Sequence, residues 1–253
     1  MITFKNIQKQ YNEKCIIQDF NLQLPKSKII SLIGPNGAGK STLLMMLARL
    51  TKPTQGSIWI DGKDIAGLPI KEYAKQVATL RQANDINLRL RVSELVAFGR
   101  FPYNQGKPTE HDLSIVNETL QLLELAHLKD SYLDELSGGQ RQMVFLAMVL
   151  SQQTDIILLD EPLNNLDMKY AVKMMQVLRM LVNQHNRTII LIVHDINFAS
   201  HYSDYIVALK DGQLFAHGEP DSIITAEHLN RLYEINFDII KTQTGMICNY
   251  FHG

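Results

Sequence analysis

The chain is poor in the features that mark secreted or membrane-spanning proteins. It has two cysteines, Cys15 and Cys248, too few for a disulfide framework and suited to a reducing compartment. Both thiols read as inert packing residues. No apolar run nears the roughly 18–20 residues that a spanning helix needs. The longest, Leu43–Leu50 and Ile189–Val193, are short, and Arg49 breaks the first. The stretch Met1–Cys15 lacks the apolar segment of a signal peptide, so the expectation is a chain that reaches a membrane only through a partner. Net charge is scarce too: 25 Lys and Arg face 26 Asp and Glu, a balance of −1. That argues against broad attraction to nucleic acid or anionic lipid, and any anion affinity must be local. There is no internal repeat, no low-complexity tract and no His/Cys cluster with metal-ligand spacing.

What is present is a globular composition, 253 residues with 45% apolar, enough for a sizeable core. Ile29–Ile33 is a buried-strand pattern, Ser41–Leu50 a helix with Leu and Met on one face, and Gln55–Gly62 a strand ending in an Asp-Gly turn. Between about Ala83 and Ser151 the β-branched runs vanish. Val92–Gly99, Thr109–Leu125 and Gly138–Leu150 have helical spacing there. Continuous apolar runs return at Asp155–Leu159 and Thr188–Val193, with a helix predicted over Met168–Asn183. Such runs suit parallel strands buried on both faces, so the fold class is α/β. A helix over Thr225–Tyr233 followed by irregular residues completes the reading.

The strand Ile29–Ile33 runs into Gly34-Pro35-Asn36-Gly37-Ala38-Gly39-Lys40-Ser41-Thr42, a full phosphate-loop pattern in the strand–loop–helix context it requires. Glycines let the backbone wrap an anion with successive N–H groups turned inward, and the following helix adds its positive dipole end. Lys40 supplies a mobile charge to the β- and γ-phosphates, and the Ser41 hydroxyl suits Mg²⁺. This motif leaves kinase, GTPase and ATPase open. A second apolar strand ends in Asp160 and Glu161. In phosphate-loop enzymes the first acid holds the Mg²⁺ shell, and the next can orient or deprotonate water. Leu136-Ser137-Gly138-Gly139-Gln140 adds a further anion-binding surface of N–H groups and one hydroxyl at a helix start.

With these motifs in order, together with Gln82, Asn164–Asp167 and His194, the chain resembles the ATP-binding-cassette ATPases over essentially its whole length. The resemblance implies a single cassette over residues 1–253. Its phosphate-loop core has a mainly parallel sheet and an antiparallel β portion near the N-terminus, covering 1–82 and 152–253. A helical lobe over 83–151 carries the signature run. It implies that Tyr11 stacks on adenine, that Gln82 contacts Mg²⁺ or water at the junction with the lobe, and that His194 contacts the γ-phosphate. It further implies that Leu136–Gln140 and the Asp167 loop serve the nucleotide of a second copy, giving a homodimer when ATP-bound. Separate permease chains and an extracytoplasmic binding protein are the implied partners, with no nucleic acid, and the place of work is the cytoplasmic face of a bacterial membrane. Val92–Tyr103, Asp160–Met168 and His194–Ala199 are similar to importers of ferric siderophores, haem and cobalamin, ferric siderophore foremost. Leu163 stands where that family usually has Thr, and Met143 where Arg often follows the signature run. Neither change removes a phosphate or Mg²⁺ contact. The Met set (Met143, Met148, Met174, Met175, Met180) reads as adaptable core. Leu95, Phe98, Phe101 and Tyr103 are candidate permease contacts, with Leu95 and Phe98 equally candidates for the lobe's own core. A non-transport cassette protein, or a nucleotide switch without turnover, is the alternative of a different class.

Overall fold

A computed structural model describes residues 1–81, 89–164, 166–242 and 245–251. In chain order the elements are β1 (Ile2–Tyr11), β2 (Lys14–Leu24), β3 (Ile29–Ile33), α1 (Lys40–Leu47), β4 (Gln55–Ile60), β5 (Lys63–Asp64), α2 (Ile70–Tyr73) and β6 (Val77–Leu80). An all-helical stretch follows: α3 (Val92–Phe98), α4 (Phe101–Asn104), α5 (Glu110–Leu122) and α6 (Gly138–Ser151), interrupted by short 3₁₀ turns. Then come β7 (Ile156–Leu159), α7 (Met168–His185), β8 (Thr188–Ile192), α8 (Ile196–Tyr202), β9 (Tyr205–Lys210), β10 (Gln213–Gly218), α9 (Pro220–Ile223), α10 (Ala226–Tyr233), β11 (Asp238–Thr242) and β12 (Gly245–Asn249).

The central sheet has the order β10-β9-β3-β8-β7-β6, and all neighbours are parallel except the β9–β10 hairpin. Every residue of β3, β7 and β8 is buried. Their alternate side chains feed two different cores. Ile29 and Ile33 join the core shared with the helical stretch, α7 and α8, while Ile30 and Leu32 face α1 and the second sheet. That explains runs such as Thr188–Ile192 with no polar alternation: each Ile or Leu loses its water on one face or the other, worth ~1.5–3 kcal/mol apiece. The second sheet, β2-β1-β4-β5, is antiparallel and lies over the far face. Irregular register in β1 against both neighbours breaks its polar–apolar alternation, which is why β1 is hard to read as a strand.

The helical stretch is pinned at its base by a buried ion pair. Arg100 Nε donates to Asp112 Oδ1 at 2.9 Å, with both side chains under a tenth exposed, and its Nη1 reaches the Ser151 carbonyl that ends α6 and Gln153 Oε1. The Thr109 amide, opposed by the cost of burial and aided by Arg100 and the Thr109 hydroxyl, holds the Asp112 carboxyl well below its ordinary range.

Two expectations need correction. The described residues after Tyr233 are not all irregular, because Asp238–Thr242 and Gly245–Asn249 pair as β11 and β12, from Asp238↔Asn249 to Thr242↔Gly245. Leu95 is wholly buried and belongs to the core of the helical stretch, so it is withdrawn as a contact candidate.

Candidate functional site

Parallel strands deliver their C-terminal ends to one edge of a sheet, and a crevice forms there. Here β3, β8 and β7 are neighbours, so three loops meet: Gly34–Thr42 after β3, His194 after β8 and Asp160-Glu161 after β7. The segments are far apart in sequence and adjacent in space. Ser41 Oγ donates to Asp160 Oδ1 at 3.0 Å, and His194 Nε2 lies 2.7 Å from Glu161 Oε1.

The phosphate loop has a buried base and an open tip. Gly34 and Ala38–Lys40 are buried, Asn36 and Gly37 exposed. Gly34 sits at φ +137, and a Cβ there would lie 2.1 Å from the Leu209 carbonyl oxygen of β9, so the chain can leave β3 this way only without a side chain. Lys40, about 5% exposed, donates to the Gly34 and Pro35 carbonyls at 2.7 and 2.9 Å. Burial pulls its ammonium below the ordinary lysine value, while the charges of Glu161 and Asp160 oppose the shift. Burial pushes the Asp160 carboxyl up against the pull of the Ser41 hydroxyl, and the neighbouring Glu161 charge adds to the rise.

Glu161 adopts φ +52, the left-handed region, unfavourable for a residue with a side chain. This turns its carboxylate back toward the end of β8, where His194 meets one oxygen, while Asn164 Nδ2 donates to the other at 2.5 Å. Asn164 is a site residue to which sequence reasoning assigned no role. Its signal was its place at the start of the Asn164–Asp167 motif, three residues after Glu161. Gln142 on α6 donates to the Pro162 carbonyl at 3.2 Å, tying the signature helix to this acidic turn.

The signature run begins α6 as expected. Ser137 is the N-cap, its Oγ accepting from the Gln140 amide while the Gln140 side chain accepts from the Ser137 amide. Ser137 and Gly138 are exposed. Asp167 caps α7 by accepting from the Tyr170 amide at 2.9 Å. Tyr11 pairs with Lys14 at the tip of the β1–β2 hairpin, with an exposed ring and Lys9 Nζ 4.5 Å from its centroid. The hairpin reaches the phosphate loop: a Cβ on Gly39 would sit 2.4 Å from Ile17 Cδ1. Gln82 lies outside the described residues. Phe98 and Phe101 are more than half exposed or close to it, at 50% and 57%. Tyr103 is engaged, its hydroxyl on the Gln152 carbonyl and its ring 3.9 Å from the Arg100 guanidinium. Among the described residues no helix is long and apolar enough to cross a membrane.

A phosphate loop, paired strand-end acids and a histidine behind them define a phosphate-loop nucleotide hydrolase. Residues 17–164 match the ABC transporter family, and the chain belongs to it. It is 48% identical over 251 residues to the petrobactin import ATP-binding protein YclP of Bacillus subtilis, covering 99% of this chain and 100% of that one. Among solved structures it is similar to an inward-facing metal-chelate type ABC transporter (TM-score 0.85, 26% identity, 98% and 95% of the two chains). It is also similar to a dimeric bacterial ABC transporter cassette (TM-score 0.78, 32% identity, 87% and 99%). The chain is thus an ATP-binding ATPase of the ABC class.

Proposed function

We propose that this chain is the ATPase subunit of a bacterial importer of a metal chelate, a ferric siderophore in particular. It works at the cytoplasmic face of the membrane with separate permease chains and an extracytoplasmic binding protein. The observation that carries the catalytic part is the pair Glu161–His194 at 2.7 Å beside Lys40 and Ser41. Glu161 accepts the proton of the attacking water and His194 holds that carboxylate and contacts the γ-phosphate. Asn164 steadies the second carboxylate oxygen. Lys40 leaves the loop's own carbonyls for the β- and γ-phosphates, Gly34–Thr42 wraps them, and Tyr11 stacks on adenine.

The oxygen donors Ser41 and Asp160 suit Mg²⁺, a hard cation that takes a few protein oxygens and fills its shell with phosphate and water. The fit is supported by the crowding of Asp160 and Glu161, which a divalent cation would relieve. Ser41 would hold it directly, Asp160 from the outer shell and Gln82 from the junction; bound with ATP, it neutralises phosphate charge.

Leu136–Gln140 and the Asp167 loop complete the site of a second copy, so two chains close head to tail over two ATP molecules. The stretch 83–151 is the lobe that carries the signature, and Phe101, with Phe98, meets the permease on it. The cargo reading rests on the kinship with metal-chelate and petrobactin importers. Uptake of a ferric siderophore into vesicles bearing the permease, driven by MgATP inside with haem and cobalamin as competitors, tests it. Preferential uptake of haem or cobalamin replaces the cargo, and ATP turnover with no uptake of any chelate replaces the transport reading.

A further inference from the structure

The segment after α9 makes contacts that reach both ends of the ATP site. Tyr233, the last residue of α10, has a partly buried ring packed against the main core, and its hydroxyl accepts from the Gly34 amide at 3.1 Å, across 199 residues of sequence. Gly34 is the entry to the phosphate loop, already pressed against the Leu209 carbonyl on its other side. Its amide is thus tied to a rigid phenol, and the direction in which the loop leaves β3 is set by that hydrogen bond together with the β9 backbone. The ring is held in turn: its centroid is 5.8 Å from Phe237, which lies 5.4 Å from Tyr250.

The other contact is with α8, the helix that starts two residues after His194. Asn197 pairs its side-chain amide with strand β12 as a neighbouring strand would. Its Oδ1 accepts from the Cys248 amide at 2.7 Å and its Nδ2 donates to the Cys248 carbonyl at 3.3 Å. Ser200 Oγ donates to the Met246 carbonyl at 3.0 Å, one turn further along. Cys248 is 1% exposed, and burial first and the Asp195 charge second push its thiol up.

We propose that Tyr233 is a positioning residue of the phosphate loop and that α10 together with β11 and β12 is a brace. Through Tyr233 it sets the entry of the loop, and through Asn197 it sets the helix behind His194. The proposal rests on the reading of Gly34–Thr42 as the ATP site. It gives a role to a segment that carries no recognised motif, and to an asparagine with no direct part in the chemistry.

Tyr233→Phe keeps the ring and its packing and removes one acceptor. In the full-length chain, Mg-ATP affinity measured by calorimetry weakens about fivefold to tenfold, the worth of one hydrogen bond that holds a binding loop. The rate at saturating ATP stays within about twofold, the split expected of a residue acting on binding. Asn197→Asp, which keeps the acceptor for the Cys248 amide and loses the donor, has the opposite profile: ATP affinity unchanged and a rate at saturation about fivefold lower. Thermal midpoints are measured beside both. Unchanged affinity in Tyr233→Phe, with or without a lower midpoint, overturns the proposal, since the hydroxyl then serves packing only. Lys40→Ala is the control that separates the two layers. If it leaves ATP affinity intact, the phosphate-loop reading fails and takes the brace with it. If Lys40→Ala weakens binding and Tyr233→Phe does not, the brace fails by itself.

Discussion

Two helix N-termini in this chain carry anion-binding motifs, and they are framed to different degrees. At α1 the loop is framed on every side: β9 against Gly34, the β1–β2 hairpin against Gly39, Asp160 on Ser41, and a nearly buried Lys40 within reach of two acids. At α6 the cap is self-contained. Ser137 and Gln140 satisfy each other, Ser137 and Gly138 are exposed, and the tie to the acidic turn comes from further along the helix at Gln142. The first terminus is enclosed by its own chain. The second is an open surface, as the proposed head-to-tail pairing requires. The contrast explains why a single chain carries two anion-binding motifs and why a near-neutral molecule binds a polyanion: its anion affinity is concentrated in backbone N–H groups and one lysine.

The largest test of this contrast strikes the enclosed half. Glu161→Gln keeps the contacts of Asn164 and His194 in shape but cannot accept a proton, so hydrolysis falls by about 10²–10⁴ while ATP still binds. The protein then accumulates as a nucleotide-bound dimer, detected by size-exclusion chromatography; a parent-like turnover rate would remove Glu161 from the mechanism. Lys40→Ala removes the buried cation and lowers the rate by about 10²–10³, with weakened ATP binding in calorimetry. The open half is probed by mixing. Ser137→Arg blocks the signature surface, so that chain binds ATP without turning it over. Combined with Lys40→Ala, it forms mixed dimers in which one of two sites has both parts intact, and turnover returns to roughly a quarter of the parent rate on random pairing. No recovery on mixing would mean that each chain hydrolyses ATP within itself.

A smaller effect comes from the far end of α6. Arg100→Met leaves the buried Asp112 carboxylate without its counter-ion, held only by the Thr109 amide and hydroxyl, costing about 3–5 kcal/mol of stability in a denaturant titration. Its main consequence falls on the signature half, and ATP affinity changes little. The same pair gives the smallest and most specific signal, a pH dependence. The Asp112 carboxyl is held below its unfolded value by the Thr109 amide first and by Arg100. Its contribution is therefore fully present above about pH 4 and lost as acid protonates the folded carboxyl. Arg100→Met should make that acid limb of stability shallower, with the Thr109 contacts keeping part of it, read from thermal midpoints between neutral and acidic pH.

Much of this arrangement was legible beforehand, and the reason is locality. A phosphate loop needs its glycines, its lysine and the flanking strand and helix within a dozen residues, so Gly34–Thr42 displays its chemistry without a fold around it. The same holds for Ser137–Gln140, whose capping box is a three-residue affair. The buried strands β3, β7 and β8 could be read because a strand hidden on both faces leaves an unbroken apolar run. Three things were not legible. The strand β1 is irregular in register against both neighbours, so the alternation that marks a strand is broken there. Leu95 and Phe98 share a helix and differ only in facing, one wholly buried and the other half exposed. Tyr233 lies in no motif and Asn197, within His194–Ala199, had no role of its own, because what each does depends on a partner 199 or 51 residues away.

By its sequence this protein was determined to be a nucleotide-binding α/β chain with a phosphate loop, an acidic strand end, a histidine and a signature run, since each is a short-range pattern of backbone freedom, charge and burial. Only the tertiary structure decided how these parts meet. The order β3-β8-β7 brings His194 between the phosphate loop and the two acids, turns Glu161 onto His194, and ties the last helix and hairpin to the loop and to the helix behind that histidine. Strand order and the reach of a side chain across the sheet depend on which surfaces bury each other, and no local stretch of residues encodes that.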